Sequence, residues 1–199
     1  MKKNVVLITS IAVAGALGVG GVALGVTALT PKVVTTSVSA TPTSTSSAAP
    51  SSTATTSTSQ STAQLLTYLI EEEKLAHDVY TVLAEKWGAN TFTNILKSET
   101  SHQSQVASLL TAYGIADPRS SQIGVFTDPA LQALYNKLIA QGSISVTEAY
   151  KVGVLIEETD IADLTTAMNS TTDTKILSVL QTLKDGSYNH LAAFQKQLA

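Results

Sequence analysis

The chain predicts an all-α domain: a four-helix bundle with one short extra helix in the crossover between the second and third long helices. Two observations carry this. From about residue 63 onward, apolar residues recur at three- and four-residue spacing in four long runs, with no convincing strand-like alternation and no repeat of solenoid period. Gly88-Ala89-Asn90, Gly114 and Gly142 close runs, and Ser145 opens one, as helix stops and starts do.

The first run extends from about Ala63 to Trp87. Leu66, Leu69, Ile70, Glu73, His77, Tyr80, Ala84 and Trp87 share one side, so Glu73 interrupts an apolar or aromatic face. Glu71 and Glu72 fall on other faces, Glu72 nearest the core. The second run covers about Thr91 to Tyr113, with Phe92, Ile95, Leu96, Glu99, His102, Val106, Leu109 and Leu110 as its inner stripe. Gly114 then suits the left-handed position that ends many helices. A loop marked by Asp117-Pro118 and Gly124 leads to the short helix, about Pro129 to Ala140, apolar through Leu131, Leu134, Leu138 and Ile139. Ser145-Val146-Thr147-Glu148 has the form of a capping box and opens the third long helix, which reaches about Met168. Ala149, Gly153, Ile156, Glu157, Asp160, Ile161, Leu164 and Met168 line its inner side. The fourth spans about Asp173 to Leu198, with Ile176, Leu177, Leu180 and Leu183 in one half and Leu191, Phe194 and Leu198 in the other. Asp185-Gly186-Ser187 predicts a kink or break between them, because an internal Gly costs about 1 kcal/mol relative to Ala.

The regions outside these runs define three parts: 1–34 a signal peptide or anchor, 35–63 a linker, and 64–199 the helical domain. Met1-Lys2-Lys3 precedes an uncharged apolar run over residues 5–30, the grammar of a secretory signal and also long enough to span a bilayer. The lysines keep its start cytoplasmic and place the rest extracytoplasmic. Cleavage after Val38-Ser39-Ala40 and retention as a membrane anchor both fit. Residues 35–63 are almost wholly Ser, Thr, Ala and Pro, too poor in apolar surface to offset the entropy of ordering, and read as a disordered stalk.

The formal net charge of −3 hides a split. From Gln64 onward nine Lys and Arg face fifteen Asp and Glu, which disfavours nucleic acid as a partner. The absence of cysteine excludes disulfides, thiolate catalysis and Cys-ligated zinc or iron–sulfur sites.

Each long helix offers a metal-type ligand at an inward position: Glu73 on the first, Glu99 and His102 on the second, Glu157 with Asp160 on the third, and His190 on the fourth. Glu99 and His102 stand three apart, hence on one helical face. Carboxylates in an apolar core are costly unless paired or bound to a metal, and several together repel one another. Glu158 replaces Glu157 as the candidate if the third helix is rotated. Asp160 is either a ligand or an acceptor orienting one, and Tyr80 either a core aromatic or a donor to a ligand. Counting Cα levels from a turn near Ala89, at about 1.5 Å per residue, leaves Glu99 about 9 Å from the level of Glu73. A similar offset separates Glu157 from His190.

Four segments carry a family resemblance: Glu71-Glu-Glu-Lys-Leu-Ala-His-Asp-Val-Tyr80, Ser98-Glu-Thr-Ser-His102, Ile156-Glu-Glu-Thr-Asp-Ile161 and Gly186-Ser-Tyr-Asn-His-Leu191. The stretch from about Leu66 to Leu198 resembles the ferritin-like "domain of unknown function 2202" family. The resemblance implies a ferritin-like bundle with two iron ions, manganese or a single metal being alternatives, and no established reaction. Under it Glu73, Glu99 and His102 hold one ion, and Glu157 and His190, with or without Asp160, the other; Glu99 or Glu157 bridges. Dioxygen or peroxide is then the co-substrate, in oxidation of Fe(II) or reduction of peroxide, and oligomer formation stays open. The general pattern has Glu-x-x-His on both the second and fourth helices; here Ser187 stands where the latter Glu would be. The alternative is a non-enzymatic cell-surface binding or structural module whose site is degenerate or holds one metal.

Overall fold

The stop and start signals become caps. Asp128, with Pro129 behind it, accepts from the amides of Ala130 and Leu131. Ser145 accepts from Glu148 N at 3.1 Å, and Asp173 from the amides of Lys175 and Ile176. These side chains satisfy N–H groups that a helix leaves without intrahelical partners. The capping box at Ser145 is half formed: the Glu148 carboxylate goes to Lys151 Nζ (2.7 Å) and Gln141 Nε2 (3.1 Å). Gly114, at φ +65°, closes a Schellman motif, with Ile115 N donating to Leu110 O and Gly114 N to Thr111 O.

Between these caps run five helices: α1 Thr55–Trp87, α2 Asn90–Ala112, α3 Pro129–Gly142, α4 Val146–Ser170 and α5 Thr174–Leu198. The computed structural model describes residues 55–199, with side chains from Thr62 onward. The predicted signal or anchor at 1–34, and the stalk up to residue 54, lie outside the described residues. The first helix begins at Thr55 rather than near Ala63, for once a helix is nucleated each added turn costs only propensity. Among the described residues there is no strand, and no helix is long and apolar enough to cross a membrane.

α5 corrects one expectation. No break occurs at Asp185-Gly186-Ser187; the helix is continuous from Thr174 to Leu198. Gly186 serves proximity instead. A Cβ there would lie 2.5 Å from His102 Nε2, so the missing side chain lets the imidazole approach the α5 backbone.

α1 pairs with α2 and α4 with α5; α2 against α5, and α1 against α4, close the bundle, and α3 lies across α1 and α4. The core has two apolar layers. One holds Val79, Tyr80, Leu83, Phe92, Ile95, Val152, Ile156 and Phe194, with Leu131 and Leu138 from α3. The other holds Leu66, Ile70, Val106, Leu110, Leu164, Ile176, Leu180 and Leu183. Along every long helix the residues between the two layers are polar and buried: Glu72 and Glu73, Glu99 and His102, Glu157 and Asp160, Ser187 and His190. The order of layers also gives direction. α2 and α4 both run from the first layer to the second, so the segment carrying α3 must return the chain along the length of the bundle.

Candidate metal centre

Four elements converge on the polar layer. Glu73 comes from α1, Glu99 and His102 from α2, Glu157 from α4 and His190 from α5, each at the inward position predicted by its apolar neighbours. The three glutamates are each 2 % exposed, and the histidines 4 % and 6 %.

They form two trios. Glu73, Glu99 and His102 bring ligand atoms within 4.8 Å of one another, as do Glu99, Glu157 and His190. Glu99 belongs to both. Its Oε1 lies 2.8 Å from His190 Nδ1 and its Oε2 3.5 Å from His102 Nδ1. Glu73 Oε2 is 3.2 Å from His102 Nδ1, and Glu157 Oε2 is 3.5 Å from His190 Nδ1. The imidazole rings stand 5.5 Å apart. The offsets expected from Cα levels are thus closed in the folded chain. Those levels count the helical rise alone, and they omit the reach of glutamate and imidazole side chains and the tilt between helices.

Both Nδ1 atoms are buried near two carboxylate oxygens each, yet neither meets a carboxylate along a hydrogen-bonding direction. Glu73 Oε1 is also buried without a partner. Buried polar atoms are ordinarily satisfied, so orphaned atoms on these side chains fit an electropositive ligand. Carboxylate oxygens and neutral imidazole nitrogen are a donor set suited to iron or manganese. The residues present fit the metal that the pattern implies.

The electrostatics agree. Burial pushes Glu73 up to about 7, despite the opposing pull of His102. Burial likewise raises Glu157 to about 7, against His190. Glu99 goes the other way: burial alone would raise it, but the two imidazoles hold it down to about 2. Burial would lower both histidines, yet Glu73 and Glu99 lift His102 to about 10, and Glu157 and Glu99 lift His190 to about 9. Without metal, protons on the imidazoles do part of the neutralising that a cation would do.

Surrounding residues orient these side chains. Tyr80, fully buried, donates from its hydroxyl to Glu157 Oε1 at 2.6 Å and leaves Oε2 toward His190. Ser98 Oγ lies 3.4 Å from His102 Nε2, which turns Nδ1 toward the carboxylates. Ser98 and the space over Gly186 were not read from the sequence as parts of the site. Ser98 had a signal, its i,i+4 spacing to His102; Gly186 had one too, read as a helix break.

Asp160 belongs to neither trio. Its Oδ2 accepts from Ser187 Oγ at 2.5 Å, and its Oδ1 is buried without a partner. Glu158 is exposed, so Glu157 is the inward residue of that pair. His77 is partly exposed and pairs with Asp78 at 3.2 Å, away from the trios.

Fold and site together define an all-helical bundle with a buried carboxylate–histidine layer that could hold a metal ion. The chain belongs to the family described as "Uncharacterized protein domain (DUF2202)", which matches residues 62–199. It is similar to "Uncharacterized protein MJ0754" of Methanocaldococcus jannaschii, 46 % identical over 129 residues, which is 64 % of this chain and 70 % of that protein. The crystal structure of hypothetical protein MJ0754 superposes with a TM-score of 0.68 at 40 % identity, covering 78 % of this chain and 85 % of that one.

Proposed function

We propose that this domain is a ferritin-like dimetal protein: two iron ions, or manganese, held by Glu73, Glu99 and His102 on one side and by Glu99, Glu157 and His190 on the other. The observation that carries the reading is Glu99, which turns one carboxylate oxygen toward each histidine, as a bridging ligand would. When bound, a pair of iron ions supplies one-electron chemistry toward dioxygen or peroxide, so oxidation of Fe(II) or reduction of peroxide is the reaction class. The chain supplies the rest. Two apolar layers exclude water from the site, Tyr80 fixes Glu157, Ser98 fixes His102, and imidazole and carboxylate protons leave as a cation arrives. The amino-terminal signal or anchor and the stalk would display the domain outside the cytoplasmic membrane.

A second reading rests on Ser187. The position three before His190 carries a hydroxyl committed to Asp160, and the α5 trio therefore lacks the local carboxylate that α2 has. That favours one tightly held ion, in a surface binding or structural module without redox turnover.

Anaerobic loading of the full chain with Fe(II), followed by exposure to oxygen or peroxide, separates the two. The dimetal reading expects about two irons per chain, and oxidation faster than in the Glu99→Ala, His102→Ala double variant. One iron, with oxidation no faster than in that variant, supports the second reading. No iron above background overturns both.

A further inference from the structure

The carboxylates of the polar layer extend beyond the two trios. Glu73 turns Oε2 to His102, but its Oε1 is buried without a partner. Asp160 and Asp163 stand three apart on α4, and Tyr68 and Glu72 four apart on α1, each pair on one helical face. Asp163 in turn accepts from the Tyr68 hydroxyl at 3.3 Å. Exposure rises along this line, from 2 % at Glu73 to 8 % at Asp160 and Glu72, with Asp163 and Tyr68 half-buried at the surface.

Two other buried acids of this domain are compensated. Glu71 accepts two backbone amides, and Asp78 is paired with Lys74. Among the described residues no Lys, Arg or His pairs with Glu72, Asp160 or Asp163. Glu72 Oε2 and Asp160 Oδ1 are each buried without any partner. Two orphaned carboxylate oxygens weaken the fold, because burial of an uncompensated acid is costly. Their placement suits a cation that passes rather than stays, since these three acids are not gathered around one point as the trios are.

We propose that Glu72, Asp160 and Asp163, held by α1 and α4, form an access path along which divalent cations move from solvent to the Glu73–Glu99–His102 trio. The path rests on the dimetal reading of that trio. Acidic groups that ionise as a cation nears them concentrate counter-ions, and focusing of this kind raises arrival rates by about 10- to 1000-fold.

The test uses Co(II) and the full chain. Wild type, Glu72→Gln, Asp163→Asn and the double variant are mixed rapidly with Co(II), and its visible absorption is followed; bound cobalt at equilibrium is counted separately. Melting curves confirm folding, and the neutral isosteres should not lower the melting temperature. The expected result is an unchanged amount of bound cobalt in every variant, with the double variant loading about tenfold or more slowly. The decrease of loading rate with added salt should also flatten, which a purely structural role would not produce. Wild-type loading rates and salt dependence in the folded double variant would overturn the path. So would loss of a bound ion at equilibrium, which would make these residues ligands of a resident ion. Wild type that binds no cobalt would overturn the dimetal reading itself, a failure distinct from either.

Discussion

Gly186 shows how one atom governs the first trio. Any Cβ there would sit 2.5 Å from His102 Nε2, inside van der Waals contact, and the imidazole is the group that must give way. Gly186→Ala should therefore be tolerated by the fold, and the helix itself gains about 1 kcal/mol in propensity. The displaced ring would carry Nδ1 away from Glu73 and Glu99. The expected outcome is a metal-free melting temperature at or slightly above wild type, with Co(II) affinity reduced by about 10- to 100-fold, the usual effect of disturbing a ligand's support. Calorimetric titration decides it; wild-type affinity in a folded variant would show that His102 is not a ligand. Ser187 poses the converse case. Its hydroxyl satisfies Asp160 Oδ2 inside the core. Ser187→Ala should cost about 1–3 kcal/mol in urea unfolding, the penalty for orphaning a buried acceptor. The inward glutamates and histidines were legible because each interrupts an apolar stripe. Gly186 was misread because spacing along one helix does not reveal what a neighbouring helix presses against it.

At the scale of elements, the long helices were legible and the crossover was not. Periodicity and capping residues place α2, α4 and α5 to within a residue or two. The segment that returns the chain to α4 is held by α1 residues whose roles depend on partners about half the bundle away in sequence. Glu71 accepts from Thr127 N (2.6 Å) and Asp128 N (2.9 Å), just ahead of α3. Lys74 donates to Gln122 O at 2.9 Å, and Asp78 accepts from Gly124 N at 2.8 Å. The acidic run Glu71-Glu72-Glu73 thus divides its labour: the first latches the crossover, the second lines the proposed path, and the third faces the histidines. No pattern within the run distinguishes them. Glu71→Ala should leave two amides unpartnered, at about 1–3 kcal/mol. Hydrogen exchange should rise at Thr127, Asp128 and through α3 while bound Co(II) per chain stays at the wild-type value. Uniform loosening of all five helices, or loss of cobalt, would contradict this division.

The whole molecule is built around a layer that opposes its own folding, and pH exposes this. Glu73 and Glu157 are held at about 7 against an ordinary 4.5, so between those values the folded chain keeps protons that the unfolded chain has released. Stability therefore falls as pH rises through that window. His102 and His190 are lifted to about 10 and 9 from 6.5; their contribution is complete below 6.5 and is lost as pH climbs through 9 to 10. Glu99, held at about 2, contributes above 4.5 and loses that contribution only as pH falls toward 2. All these slopes point one way on the alkaline side. The metal-free domain should melt highest near pH 5 and progressively lower toward pH 9. Metal reverses the slope, because cations compete with protons for the same oxygens and nitrogens, and binding to the native state alone adds stability by mass action. The rise in melting temperature produced by a fixed concentration of Mn(II) should accordingly grow between pH 5 and pH 8. Scanning calorimetry across that range, with and without Mn(II), checks both limbs. A metal-free melting temperature that climbs with pH would mean that the carboxylates are already neutralised by the protein. A metal-induced rise that shrinks with pH would mean that the ion sits elsewhere than among Glu73, Glu99, His102, Glu157 and His190.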